Sequence, residues 1–539
     1  FYGPGVEKDK IWSRAFEASP GVYPKEYSDG TLSYPSMQGG ENPWNLLVHS
    51  GYREQFWNSA QSLIGINQDL GDLVTKGLTA SIKFSWDAVN TNTIVRSKTP
   101  NQYYAKGRDE DGNLIFGSPI VTGTDELGLS ESGSGSITTY LEGSINYNRL
   151  FAEKHRVGAM LLYNHKVTNK KLTYSKTLSL PYKYQGLAGR VTYAFKDTYF
   201  AEFNMGYNGS ENFAKGHRWG FFPSIALGYN ISEESFFEPL RKVITSMKLR
   251  GSWGLVGNDQ IGGERFIYMP TINLSGKGFT TGIDQNYGLS GPVYTRYENN
   301  SITWEVGEKI NLGIDLQLLN SLNIVVDIFR ETRRDIFQKK GTIPTYLGTG
   351  NTDVFGNLAE MKNQGLDLSI DYNKAFSKDF YMNFKGTFTY AHNEITKYDE
   401  APKYAFQSKV GQSANVSQGY LSNGLFLDEA EIDRYNQQMG STLGAGDIKY
   451  LNVSNMHGYG DDIVDVDDWT WIGNPTVPEI VYGFGPSFKY KNWDFSFFFQ
   501  GVAKTSLFMS GFHPFGDNSL RNVLQFVAND RWSPTNQNV

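Results

Sequence analysis

The sequence contains no cysteine. No disulfide, thiol nucleophile or thiolate metal site can therefore exist. It has no run of about 18 apolar residues, so no transmembrane helix is expected. That absence leaves a membrane open, because barrel strands spread their hydrophobicity by alternation. There is no excess of positive charge. The net charge is -6, which argues against a nucleic-acid surface. The seven histidines, at 49, 155, 165, 217, 392, 457 and 513, are scattered, with no HExxH or HxH. No G-x-S-x-G elbow, P-loop or dinucleotide fingerprint is present. Without a catalytic constellation, an enzyme is not expected. The chain begins with Phe and shows no signal peptide, so its 539 residues read as an internal piece of a longer precursor.

What is abundant is glycine (58) and aromatic residues: Phe 35, Tyr 33 and Trp 11. With a mean hydropathy of -0.44, this fits a β protein with polar loops. The pattern is plainest from Trp304 to Phe337. Leu312, Ile314, Leu316 and Leu318 alternate with Asn311, Gly313, Asp315 and Gln317. After a tight turn expected at Asn320-Ser321, Leu322, Ile324, Val326 and Ile328 face one side. Asn323, Asp327 and Glu331 face the other, with Val325 and Phe329 as exceptions. Period-two alternation marks a strand with different surroundings on its two faces. Each arm exceeds the common globular length of about 5–6 residues. It suits a tilted bilayer crossing, which needs about 9–11.

Much of the chain repeats this hairpin. Strands are expected at 55–70, from Leu78, near 137–151 and 156–168, then 183–195, 199–210, 220–231 and 246–257. Further strands are expected around 366–373, 380–390, 480–490 and 493–507. Residues 1–55 show little strand pattern. Asn90–Ser136, ending in the flexible SESGSGS, reads as a long polar loop, and 396–479 as a very long one. Short and long connections tend to alternate, though the joints near 169–182, 211–219 and 232–245 blur the contrast. A string of soluble β-sandwiches would also give many short strands. It would not readily give several connections of about 40–80 residues. The expected fold class is all-β: a transmembrane antiparallel β-barrel with about 14 strands in this piece, short periplasmic turns and long extracellular loops. Residues 1–539 are read as one partial barrel domain.

Several blocks, in order, resemble the SusC/RagA class of TonB-dependent outer-membrane transporters of Bacteroidota. They include RVTYAFKDTY from Arg190, FFPSIALGYNISEE from Phe221 and KLRGSWGLVGND from Lys248. The hairpin resembles the family's WE…NLGID…D…T..D pattern through Trp304, Glu305, Asn311, Gly313, Asp315, Asp327, Thr332 and Asp335. NLAEMKNQGLDL (Asn357–Leu368) has Ala359 where the family usually has Gly. GDIKY (Gly446–Tyr450), IGNP (Ile472–Pro475) and FFQG (Phe498–Gly501) complete the set. The resemblance implies a 22-stranded barrel around an N-terminal plug, of which this piece is the middle part. It implies active import of oligosaccharides or oligopeptides driven through TonB. It also implies a SusD-like surface lipoprotein as lid, a dimer of such pairs, and outer-membrane lipid around the wall. A passive porin, a lid-less siderophore-type receptor and a surface adhesin are the alternatives.

In the family, GDIKY leads into a segment resembling an EF-hand loop. Here that segment is NMHGYGDDIVDVDDW. On the EF-hand spacing, Asp461, Asp465 and Asp468 take positions 5, 9 and 12. His457 and Tyr459 stand at positions 1 and 3, and Asp462 at the position usually Gly. Asn452, Ser454 or Asn455 could supply further oxygens. The resemblance thus makes Ca²⁺ or Mg²⁺ in the 452–468 loop an expectation, beside the plainer reading of an acidic solvated loop. Tyr103, Tyr104, Trp219, Tyr268, Tyr287, Tyr294, Tyr346, Tyr459, Trp469 and Trp471 fall in loops or at strand ends. They could stack on a ligand or form the interfacial aromatic girdle.

Overall fold

The computed structural model describes residues 2–18, 24–34, 41–171, 177, 179–262, 264–276, 278–344, 346, 352–435, 437–438, 442–459, 462–509 and 523–537. Its main feature is one antiparallel sheet of 16 segments. One segment is the three-residue Tyr2–Pro4, and the last two are pieces of one broken strand, which leaves fourteen wall strands. These are β1 Gly51–Asp69, β2 Leu78–Ser97, β3 Ser130–Phe151, β4 His155–Lys171, β5 Tyr182–Phe195, β6 Tyr199–Ser210 and β7 Trp219–Asn230. They continue as β8 Ile244–Asn258, β9 Glu305–Leu318, β10 Leu322–Lys339, β11 Phe355–Ala375, β12 Phe380–Lys397 and β13 Ile480–Tyr490. β14 comprises Trp493–Ser496 and Phe499–Ala503. Every strand pairs with its neighbour in sequence. Among the described residues β1 and β14 do not pair with each other.

This order resolves the blurred joints. Connections alternate strictly between two sides. The turns at 70–77, 152–154, 196–198, 231–243, 319–321, 376–379 and 491–492 lie on one side. The loops at 98–129, 172–181, 211–218, 259–304, 340–354 and 398–479 lie on the other. Three of the tight turns share one solution. Ala152 and Glu153, Lys196 and Asp197, and Leu319 and Asn320 all have positive φ. Two adjacent left-handed residues match the right-handed twist of the flanking strands. The Trp304–Phe337 hairpin therefore turns at Leu319-Asn320, one residue earlier than expected.

The wall's two faces differ as alternation requires. Ile82, Leu141, Val191, Phe203, Leu249, Leu312 and Ile328 point outward and are exposed. On the opposite face lie ion pairs: Lys83–Glu142 at 3.0 Å, Arg190–Glu202 at 2.8 Å, and Arg250 with Asp327 at 2.7 Å and Asp315 at 3.0 Å. Phe329, an exception to the pattern, faces this polar side. It lies opposite Gly365 in β11. A Cβ at Gly365 would fall 2.7 Å from the Phe329 ring and 2.0 Å from the Tyr390 carbonyl, so only glycine fits.

Three expectations need correction. SESGSGS is not loop: Ser130–Ser136 extends β3 and pairs with Val89–Val95 of β2. A ladder is held by backbone bonds, so a partner strand suffices where side chains say little. β11 begins at Phe355 and β12 runs to Lys397, both longer than their apolar alternation. The last strand breaks after Ser496 and ends at Ala503. Residues before β1 include helices Lys8–Glu17 and Pro43–Val48.

A single-layer wall has no interior, so the buried core lies elsewhere. Phe213, Phe222, Ile261, Ile267, Ile302 and Trp304 form it on the long-loop side. Arg265 locks this cap. Its side chain is 2% exposed. It donates to the carbonyls of Thr177, Leu180 and Pro181 and to the Glu211 carboxylate.

Candidate functional site

The strand register brings a polar row together on the inner face. Lys309 of β9 lies opposite Glu331 of β10. Glu331 lies opposite Asn363 of β11, and Asn363 opposite Asn393 of β12. Neighbouring strands are about 4.8 Å apart, so the four side chains form one continuous line. Arg333 stands above it, donating to Glu331 at 2.7 Å and to Glu305 at 3.2 Å. The 398–479 connection closes over the row. Asn393 Oδ1 accepts from Ser413 Oγ at 3.0 Å and from the Ala414 amide at 2.8 Å. The returning leg is held where the Ala391 amide donates to the Glu479 carbonyl at 2.8 Å.

Beneath the loop is a recess of about 330 Å³, lined by Glu331, Arg333, Met361, Asn363, Asn393, Asn415, Val477 and Pro478 among others. Its size lies in the range of about 300–1,000 Å³ typical of ligand pockets. The side-chain amides of Asn363 and Asn415 bond to no protein group among the described residues. Each offers two donors and an acceptor. Glu331 is neutralised by Arg333 and lies 3.7 Å from Lys309. The arrangement suits a neutral ligand rich in hydroxyls or amides. It holds no nucleophile–base pair, and its lining carries no aromatic ring.

The residues expected to hold a cation are placed differently. Asp461 lies outside the described residues. Asp468 is fully buried. Its Oδ1 accepts from the Ser454 amide at 2.9 Å and its Oδ2 from the Asp465 amide at 2.9 Å. Asp465 Oδ1 accepts from the Asp467 amide at 2.8 Å. Asn452 Oδ1 caps a helical turn, accepting from the Asn455 amide at 2.7 Å, and the Asn455 side chain approaches Asp462 at 3.5 Å. His457 stacks on Phe406 at 4.7 Å and Tyr459 packs on Tyr404 at 4.3 Å. Among the described residues no group of three acidic or histidine side chains is poised to hold a metal. Asp468 and Asn452 are thus bonded to the loop's own backbone.

The aromatic residues divide. Trp219 stacks on Tyr207 at 4.8 Å, on the outward face of the wall, as a girdle residue does. Tyr103, Tyr268, Tyr294 and Trp469 pack on Phe116, Phe266, Tyr297 and Tyr420 within their loops. Trp471 donates to the Ser408 carbonyl at 2.9 Å. Tyr287 and Tyr346 are largely exposed.

Two ion pairs pin the long connection. The Lys449 ammonium, with the Leu427 amide, holds the Glu431 carboxyl below its ordinary value. Asp467 raises the Lys403 ammonium above its own. The Glu431 contribution is present above the unfolded carboxyl value and is lost as pH falls through the lowered folded one. The Lys403 contribution is present below the unfolded amine value and is lost as pH rises through the raised folded one. Protease resistance of 398–479 should thus be flat between about pH 4.3 and about pH 10.4 and decline outside that window. Digestion across a pH series with a pH-tolerant protease checks this.

The model of the TonB-dependent receptor-like β-barrel matches residues 16–505. The chain belongs to the TonB-dependent receptor β-barrel family. It is therefore an outer-membrane barrel, with short turns periplasmic and long loops extracellular, and its relatives are receptors and transporters, not enzymes. TonB-dependent receptor P3 of Formosa agariphila is 24% identical over 566 residues, covering 99% of this chain and 53% of that protein. TonB-dependent receptor SusC of Bacteroides thetaiotaomicron is 29% identical over 323 residues, 57% of this chain and 30% of its own length. The chain thus spans about half the length, or less, of the curated relatives it matches. The RagAB peptide importer in its closed-closed state shares the fold, with a TM-score of 0.63 at 19% identity over 90% of this chain and 52% of that one.

Proposed function

We propose that this barrel imports oligosaccharides or oligopeptides across the outer membrane. Transport is driven through TonB, and a SusD-like surface lipoprotein closes the extracellular mouth in a dimer of such pairs. Relatives named SusC and a fold shared with a peptide importer support the reading. The observation that carries it is the recess at the extracellular mouth. It faces the lumen, lies under the longest loop, and offers the unpaired amides of Asn363 and Asn415 beside Arg333.

Asn363→Ala with Asn415→Ala removes ligand contacts without leaving a protein group unpaired. Each hydrogen bond contributes about 0.5–1.5 kcal/mol, so uptake affinity should fall about tenfold. Binding to the purified complex, with whole-cell uptake, measures it. Unchanged affinity would remove the recess from the cargo path. Uptake that persists without TonB would favour a passive porin. A barrel purified without a lid would favour a siderophore-type receptor, and surface adhesion without uptake an adhesin.

A further inference from the structure

The outward face of the wall carries a dented row near the periplasmic turns. Tyr193, Ala201, Leu227, Gly251 and Leu312 are consecutive cross-strand neighbours from β5 to β9. They alternate large and small. The next row toward the extracellular side is bulky throughout, from Val191 and Phe203 to Ile225, Trp253 and Ile310. The next row toward the periplasm is bulky as well, with Tyr199, Tyr229 and Leu249. Two side-chain-deep dents, at Ala201 and Gly251, are thereby enclosed above and below. They belong to an apolar recess of about 660 Å³.

Just below the dents the wall becomes polar. The Tyr199 and Tyr229 rings stack at 5.1 Å, and both hydroxyls donate to Glu234, at 2.6 Å and 3.4 Å. The Tyr193 hydroxyl lies 2.8 Å from His155 Nδ1. Lys196 sits with its ammonium 5.4 Å from the Phe195 ring. The Asn230 amide donates to the Thr198 carbonyl at 2.8 Å, so the turns bearing Lys196 and Glu234 are bonded neighbours. A cation and an anion therefore flank the foot of an apolar recess at the depth of the periplasmic leaflet.

We propose that this face holds one ethanolamine phospholipid of that leaflet. Its acyl chains fill the dents at Ala201 and Gly251. Its phosphate meets Lys196, and its ammonium meets Glu234 beside the tyrosine hydroxyls. The wall is surrounded by lipid at this depth, and acyl chains are what an apolar recess there meets. The paired charges select the zwitterionic headgroup over an anionic one. This site is on the opposite face of the wall from the mouth recess and does not depend on the cargo.

The test uses the full complex purified from its outer membrane, with retained lipid counted by native mass spectrometry. Wild type should retain phosphatidylethanolamine in preference to phosphatidylglycerol. Ala201→Leu fills a dent and should retain about tenfold less, as expected from losing roughly two buried methylenes. Glu234→Gln leaves the dents intact and keeps an acceptor for the tyrosines. It should abolish the preference while lipid is still retained. Equal retention of both lipids by wild type, or an unchanged preference in Glu234→Gln, overturns the proposal. So does crosslinking of this face to a second barrel.

Discussion

Replacing Arg265 with methionine should open the extracellular cap while leaving the membrane wall folded. Three connections meet at this one side chain. Nη1 donates to the Thr177 and Leu180 carbonyls at 2.9 and 2.7 Å, Nη2 to the Pro181 carbonyl at 2.9 Å and to the Glu211 carboxylate at 2.5 Å. The guanidinium also lies 3.8 Å from the centre of the Tyr182 ring and 4.4 Å from that of Phe266. Methionine keeps much of the volume but strands a carboxylate and three carbonyls. Breaking a buried pair from one side costs about 3–5 kcal/mol. That is a hundredfold or more in the population of the opened cap. Lysine should recover only part of it, because its three rotatable donors cannot span the planar fork of acceptors. Limited proteolysis within 259–304 reads the opening, and the melting of the β signal reads the wall. An unaltered cleavage rate in the methionine variant would show that the apolar cluster around Trp304 holds the cap alone.

The wall was legible where side chains alternate against lipid. β5 and β6 lie within a residue of the bounds read from sequence, because outward Leu187, Val191 and Tyr193 in β5, and Tyr199, Phe203 and Tyr207 in β6, alternate with mostly smaller or polar residues. Legibility failed above the membrane, where strands continue between water and water. Ser130–Ser136 carries no apolar signal, and only its pairing with Val89–Val95 makes it a strand. The mouth recess was missed for a related reason. Glu331, Asn363 and Asn393 come from three strands. The β11–β12 register follows by counting from the turn at 376–379. The β10–β11 register runs through the 340–354 connection, and shifts twice between Arg333 and Phe337. No count along the chain survives those bulges. The polar residues themselves were visible, but not that they share a row.

The acidic loop gives the second large effect, and it separates two roles for one carboxylate. Asp468→Ala should loosen the 452–468 segment whether or not divalent cation is present. The side chain is fully buried, and its two oxygens take the Ser454 and Asp465 amides. Alanine leaves both donors unpaired in a dry site, at about 1–3 kcal/mol each. Asp468→Asn keeps one acceptor and should restore about half of the loss. Hydrogen exchange at Ser454 and Asp465 measures it directly, since those amides lose their partner in the alanine variant. The same measurement with Ca²⁺, with Mg²⁺ and with chelator decides what the carboxylate is for. If it serves the backbone, protection at the two amides is set by the variant and is indifferent to the ion. A cation held by Asp461, Asp465 and Asp468 would instead raise protection in wild type on adding Ca²⁺, and Asp468→Asn would abolish that rise. Indifference is the expected result, because His457 and Tyr459, where an EF-hand places its first ligands, are engaged with Phe406 and Tyr404.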